Sequence, residues 1–499
     1  MALNIGELAK QNPWWANKKD IDNDRYIVKW ENSSIKWMPR ILYKIELNSD
    51  VVYSLRGPRQ VGKTTSLKML IRELLKDNDG IRIFYWTCLL ISSPREFFGI
   101  LNTYIDWARR TFPKERLYIF IDEISRIQNW QNAIIELEGM GKLKNVTVIL
   151  TGSHTLDLRK TPEKLPGRRG NEVPGGPDKI FLPMKFVEYV ETRSPRISRF
   201  LRDHFLLMWE NRKRILLDMA AGNIPNEIEL LRVYSDELKS LFQDYLITGG
   251  IALSTHEYIT TGKIPESVYA TYVDIITGDM VRWGKKDYYL KQLLGAIFET
   301  ITTPVSWSGL WKKTDMGSHH TADEYVNILK DIFAVSYFYR LDKSSEKARY
   351  GDNKKIYLQD PFIFHALRGW VLGKNQFNEA LDFISNEENR SKLVECVVSD
   401  HLIRLSFNFH PKYNFDYMNF VFYWRGKRDR EVDFVLKIDG EYLPIEVKYA
   451  NQIKKNDIYG LFDFIKTGKS YNGIVISKDD METKPNYMTI PAHIFLLLV

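Results

Sequence analysis

The amino-acid sequence predicts an α/β protein that begins with a parallel sheet built round a glycine loop. An apolar run from Val51 to Leu55 leads into Gly57-Pro58-Arg59-Gln60-Val61-Gly62-Lys63-Thr64. Residues 64 to 76 then show helical spacing, with Leu67, Leu70, Ile71 and Leu74 on one face. Further strand-like runs at 81–87, 117–121 and 146–150 are separated by segments long enough for crossover helices, the rhythm of a parallel sheet.

A chain of 499 residues suits roughly three domains of about 150 residues each, and its 44% hydrophobic content can fill their cores. Cys88 and Cys396 lie far apart in apolar surroundings. They read as small core residues rather than as a disulfide or metal framework, which points to a reducing, cytoplasmic compartment. No stretch approaches the roughly 20 apolar residues of a membrane helix, and the N-terminal run lacks a signal-peptide core, so no membrane partner is expected. A net charge of +8 is compatible with nucleic acid but, over this length, names no partner.

Residues 1–45 read as an N-terminal arm and 46–190 as the α/β core. From 191 to 286 the pattern is helical and charged, broken at Thr248-Gly249-Gly250, as in a helical lid or connector. Between 287 and 361 come a helix, a short helix at 308–313, a turn at Asp315-Met316-Gly317, a longer helix from Ser318 and two strand-like runs. That order resembles a winged helix. Residues 318–331 would be its recognition helix, with Lys312, Lys313, His319 and His320 near its start, where phosphate or base contacts are made. Asp323 and Glu324 on the same helix oppose a DNA backbone, so DNA contact and a structural or protein-contact role both stand. Trp307 and Trp311 are expected in its core. After a linking segment at 362–390, a strand-rich unit completes a last domain spanning 362–499.

The loop's spacing is what holding a triphosphate requires. Gly57 and Gly62 permit backbone angles that side chains forbid, so that the loop Gly57-Pro58-Arg59-Gln60-Val61-Gly62, running on to Thr65, would turn the N–H groups of its residues other than Pro58 toward phosphate oxygens. Lys63 would neutralise the β and γ phosphates of ATP, and Thr64, opening the helix, would offer its hydroxyl to Mg²⁺. Asp122 and Glu123 follow the run 117–121, where a parallel sheet presents its C-terminal edge to a nucleotide. Asp122 is expected in the Mg²⁺ shell and Glu123 as the group that polarises the attacking water. Ser153, after Thr151-Gly152, reads either as a γ-phosphate sensor or as a helix cap.

Near the C-terminus, Asp439-Gly440 is a strong two-residue hairpin signal between runs at 432–437 and 442–449. Partner numbers across such a turn sum to a constant, so Ile438 faces Glu441, Asp433 faces Glu446 and Glu431 faces Lys448, the last two pairs on one sheet face. Facing carboxylates destabilise a sheet unless a cation compensates, and Mg²⁺ held by Asp433 and Glu446 is the natural candidate. The alternative is a solvated hairpin in which Glu431 simply pairs with Lys448.

These features, together with Asn12-Pro13-Trp14-Trp15, Asp122-Glu123-Ile124, Asn129-Trp130, Thr151-Gly152-Ser153, Pro166-Gly167-Arg168, Leu182-Pro183-Met184, Tyr245 to Gly250, Asp360-Pro361, EVDF at 431–434 and PIEVK at 444–448, carry a resemblance over nearly the whole chain. The sequence resembles the prokaryotic AAA-superfamily P-loop ATPases whose C-terminal part is a restriction-endonuclease-like domain. The resemblance implies an ATPase core with a helical lid, a winged helix and an α/β nuclease-like domain. It implies that Arg168 senses phosphate, against the plainer reading of a solvated basic loop. It also implies that Asp433, Glu446 and Lys448 form a nuclease-like site, Lys448 orienting the attacking water and Glu395 serving as a further metal ligand. DNA is then the expected partner. Self-association and a protein partner remain open, as does the rival expectation of an ATP-driven switch or scaffold whose nuclease-like domain is inactive.

Overall fold

The computed structural model describes residues 4–152, 173, 176–409, 417–426 and 429–499. Ser153, Arg168, Lys427 and Arg428 lie outside them. The chain divides into two compact units, the first within residues 1–182 and the second from Pro183 onward. Among the described residues no helix is long and apolar enough to cross a membrane.

The first unit is a five-stranded parallel sheet in the order β2-β3-β4-β1-β5, from β1 (Val52–Arg56), β2 (Ile83–Thr87), β3 (Leu117–Asp122), β4 (Val146–Gly152) and β5 (Asp178–Ile180). Strands β1 to β4 are buried along nearly their whole length, which is why they read as continuous apolar runs rather than alternating ones. The helix Lys63–Asp77 leaves the glycine loop as expected, and Pro94–Thr111 and Gln131–Gly139 fill the other connections. Edge strand β2 is covered by the N-terminal arm. The Asn12 amide accepts from Tyr85 N–H at 2.7 Å and donates to the Tyr85 carbonyl at 3.0 Å, standing in for a neighbouring strand, while Trp14 and Trp15 both donate to the Ile83 carbonyl.

The second unit begins with helices from Phe186–Arg193 to Glu266–Arg282, broken at Gly249 as expected. Three motifs without obvious chemistry meet there. Met184 N–H donates to the Gly250 carbonyl at 2.8 Å, Tyr245 donates to the Met184 carbonyl at 2.9 Å, and Gly250 N–H donates to Asp360 at 2.8 Å. A Cβ on Gly250 would lie 2.0 Å from the Met184 carbonyl oxygen, and one on Gly249 2.1 Å from the Asp360 carboxylate and 2.7 Å from Phe362 N, so close approach of these groups demands both glycines.

Helices Asp287–Thr300, Trp307–Trp311 and His319–Asp331 precede a hairpin of β6 (Val335–Asp342) and β7 (Lys347–Leu358), with Val305 bridging antiparallel to Lys354. Trp307 and Trp311 are half-buried rather than core residues: Trp307 packs edge-on against Tyr337, and Trp311 donates to the Met316 carbonyl. The expected linker at 362–390 is instead two helices, Pro361–Leu372 and Gln376–Ser385, the first started by Asp360 accepting from Phe362 N–H at 2.8 Å. A long helix, Glu387–Phe409, leads to β8 (Val421–Arg425), β9 (Glu431–Ile438), β10 (Glu441–Lys448), β11 (Gly473–Ser477), β12 (Glu482–Lys484) and β13 (Tyr487–Pro491). One eight-stranded sheet runs β12-β13-β11-β10-β9-β8-β6-β7, so the hairpin 335–358 is continuous with the C-terminal strands through the bridge Arg340–Tyr423. The helix Tyr459–Ile465 covers one face with Leu461 and Phe464 against Val432, Val435 and Tyr442.

Candidate nucleotide site and a lysine-filled acidic cluster

The loop Gly57–Thr64 joins the end of β1 to its helix. Gly62 adopts φ +106°, and Gln60, at φ +55°, also takes a left-handed conformation. Gly57 is needed for a different reason, since a Cβ there would sit 1.9 Å from the Phe181 carbonyl oxygen. The Lys63 ammonium lies over the loop, donating to the Gly57 carbonyl at 2.8 Å and the Pro58 carbonyl at 2.6 Å.

Asp122, at the end of β3, is the centre of the site. Its Oδ2 accepts from the Thr64 hydroxyl at 2.7 Å and from Tyr85 at 3.2 Å. Its Oδ1 accepts from the Thr151 hydroxyl and from Glu123 N–H at 3.2 Å. Glu123 takes φ +55°, a left-handed conformation that is costly for a side-chain-bearing residue, and its N–H also lies 3.3 Å from the Thr151 hydroxyl. One carboxylate, one hydroxyl at a helix start and a second carboxylate one residue on are the donor set that a Mg²⁺-bound triphosphate takes, so these residues fit that group. Sequence reasoning missed Tyr85 as a partner of Asp122. Burial and the Asp122 charge push its hydroxyl far above the usual tyrosine value, keeping it a donor. The Lys68 ammonium stands 3.4 Å from the centre of the Tyr85 ring and 3.2 Å from Asp24, and burial lowers its pKa.

The C-terminal hairpin turns at Asp439 and Gly440, both at positive φ, and its register is the expected one, Glu441 opposite Ile438 through Ile445 opposite Phe434. Beyond that the ladder stops and the side chains take over. Val447 N–H donates to Asp433 Oδ2 at 2.9 Å, and Asp433 N–H donates to Glu446 at 3.3 Å. Glu431 does not pair with Lys448. Lys448 binds Glu446 at 2.7 Å and stands 3.9 Å from Asp433, and Glu431 binds Lys355, at 2.9 Å.

Lys355, on β7, had no role in the sequence reading. Its side chain is 0% exposed, and its ammonium lies 2.9 Å from each of Glu395, Glu431 and Asp433. The sequence reading calls for Mg²⁺ to compensate these carboxylates; in the structure the compensating cations are Lys355 and Lys448. Burial would pull the Lys355 pKa down, but Asp433 and Glu395 outweigh it and hold the group well above the usual lysine range. Burial and the Asp433 charge push Glu395 up to about 7 and Glu446 up to about 8, whereas the two lysines outweigh burial at Asp433 and keep it ionised. Tyr357 donates to Glu395 at 2.7 Å.

Residues 49–190 match the model of an AAA domain, AAA_14. Residues 239–374 and 390–495 match two domains of unknown function, DUF8612 and DUF4143. No curated protein matches the chain. Among solved structures, a Walker-type ATPase of Pyrococcus abyssi is similar at 14% identity, covering 70% of this chain and 97% of that one, with a TM-score of 0.38. Cdc6p of Pyrobaculum aerophilum is similar at 15% identity over 73% and 95% of the two chains, TM-score 0.25. RuvB of Thermotoga maritima, as a variant, is similar at 16% over 67% and 91%, TM-score 0.23. At these TM-scores the likenesses decide nothing further. The match at 49–190, the parallel sheet and the loop geometry together make the first unit an AAA-type P-loop nucleotide-binding domain.

Proposed function

We propose that this protein hydrolyses ATP at the Gly57–Thr64 loop and uses turnover to act on DNA through its second unit. One observation carries the first half: Thr64, Thr151 and the Glu123 backbone all converge on the Asp122 carboxylate at the C-terminal ends of neighbouring strands. When bound with ATP, Mg²⁺ neutralises phosphate charge. Lys63 adds its ammonium to that neutralisation, Asp122 and Thr64 present oxygens to the cation, and Glu123 orients a water and accepts its proton. Ser153 and Arg168 are proposed as further phosphate contacts.

Support for the DNA half comes from the order of three helices and a hairpin, with Val305 bridged to the hairpin at Lys354, an order that resembles a winged helix. Lys312, Lys313, His319 and His320 are exposed round the start of the helix His319–Asp331. Glu324, which opposes a phosphate backbone, is answered by Lys285 at 2.6 Å. A second reading, an ATP-driven switch whose C-terminal domain contacts protein or a second copy of the chain, is favoured by the closure of the acidic cluster with lysine.

ATP turnover measured with and without single-stranded and duplex DNA, with Glu123→Gln as control, separates the two. Stimulation by DNA is expected. Turnover that ignores every form of DNA would leave the ATPase and remove the DNA half in favour of the switch.

A further inference from the structure

We propose that Lys355 is the resident cation of the acidic cluster in the C-terminal sheet, closing that cluster to divalent metal and clamping the β6–β7 hairpin to β9 and the helix Glu387–Phe409. The nuclease-like pattern implies a metal held by Asp433, Glu446 and Glu395, and the residues as placed do not fit one.

Mg²⁺ takes oxygens at about 2.1 Å in a near-octahedral shell. Here the Lys355 ammonium stands among Glu395, Glu431 and Asp433, and Lys448 stands beside Glu446, so a divalent cation would have to displace an ammonium or sit against its charge. Glu395 Oε1, Glu431 Oε1 and Asp433 Oδ1 each meet the Lys355 ammonium at 2.9 Å. Asp433 Oδ2 accepts from Val447 N–H, Glu446 Oε1 from Lys448 and Glu446 Oε2 from Asp433 N–H. Glu395 Oε1 also accepts from Tyr357. Among the described residues no group of three or more metal-ligating side chains is arranged to hold an ion.

The same placement explains what holds the hairpin. Strand β6 is paired with β8 only at Arg340–Tyr423. A fully desolvated lysine meeting two carboxylates of β9 and one of the long helix supplies a further tie, beside the Tyr423 hydroxyl on the Asn353 carbonyl and the Tyr357 hydroxyl on Glu395, and removing a single partner from such a group leaves the others uncompensated. The cluster is therefore a joint rather than a catalytic centre.

Mn²⁺ binding to the nucleotide-free, full-length protein, followed by calorimetry, tests this. Wild type and Asp433→Asn are expected to give the same isotherm, because any weak binding by Thr64 and Asp122 is common to both. A wild-type Mn²⁺ site that disappears in Asp433→Asn would overturn the proposal, as would metal-dependent DNA cleavage that requires Asp433. Lys355→Ala should expose the carboxylates and gain one Mn²⁺ site per chain, with a rise in Tm on adding Mn²⁺, both lost again in Lys355→Ala/Asp433→Asn. A folded Lys355→Ala that binds no more Mn²⁺ than wild type would refute the assignment of this position as a cation seat. The wild-type comparison requires no folded Lys355 variant and by itself decides whether the cluster takes a metal.

Discussion

Gly57 and Gly62 look interchangeable in the sequence, yet they serve the loop through unrelated physics. At Gly62 the backbone is left-handed with open space around it, so Gly62→Ala should cost about 1–2 kcal/mol through backbone strain alone. At Gly57 the obstacle is the Phe181 carbonyl, so Gly57→Ala must push backbone away from backbone and should cost more, roughly 2–3 kcal/mol. Chemical denaturation of both variants checks the order; equal losses would refute it. Two further substitutions divide binding from chemistry. Lys63→Ala should bind ATP poorly, whereas Glu123→Gln should hold ATP and turn it over at least tenfold more slowly, since the Thr64 and Asp122 oxygens survive. Normal turnover in Glu123→Gln would remove its assigned role. The loop and Asp122-Glu123 were legible because their chemistry dictates spacing along the chain. Tyr85 and Lys355 were not, because each reaches its site across a sheet from a strand with no motif of its own.

At the scale of elements, the hairpin 431–448 was legible to its register, because Asp439-Gly440 suits a turn with two positive φ angles and the count across it follows. What the count cannot contain is the third strand that answers its charges. The two helices at 361–385 are missed by the sequence reading although their first start is a local signal, Asp360 capping Phe362 N–H with Pro361 in the first turn; Asp360 gains a second, long-range role by accepting from Gly250 N–H. That helix also carries two opposed titrations. His365 donates from Nε2 to the Leu246 carbonyl, and burial lowers its pKa to about 4, so the unfolded chain takes up a proton that the folded chain refuses. Its contribution to stability therefore falls as pH drops from about 6.5 toward 4, by up to about 3 kcal/mol. Burial raises Asp360 to about 6, so the folded chain holds the extra proton and its contribution rises over nearly the same descent. His365→Gln should remove the first effect only. Its Tm deficit relative to wild type at pH 7 should shrink at pH 5, and a deficit independent of pH would show that His365 is not held neutral.

The helix His319–Asp331 yields a prediction of another kind. If Lys312 and Lys313 contact phosphates, each releases counterions with a log–log salt slope of about 0.9. Replacing both with Ala should reduce the slope of DNA affinity against salt by at most about 2, with Lys313 contributing the smaller share, because Glu299 already holds it at 2.6 Å. An unchanged slope would move the DNA surface elsewhere, toward Arg425 and Arg430.

The molecule as a whole consists of two units, the first with its own core between β1 to β4 and the helices Pro94–Thr111 and Gln131–Gly139, the second with a separate core under its eight-stranded sheet. The boundary was hard to place from the sequence, since Leu182-Pro183-Met184 reads as one motif although its residues fall on both sides of the division. The residues proposed to hold ATP all belong to the first unit, and a ligand stabilises what it binds. A non-hydrolysable ATP analogue with Mg²⁺ at about 100 times its Kd should add about 2.7 kcal/mol to that unit. In differential scanning calorimetry one transition should then move upward while another keeps its temperature, and Lys63→Ala should abolish the movement. A single transition shifting as a whole would mean that the units unfold together, and a shift retained in Lys63→Ala would place the nucleotide elsewhere than the Gly57–Thr64 loop.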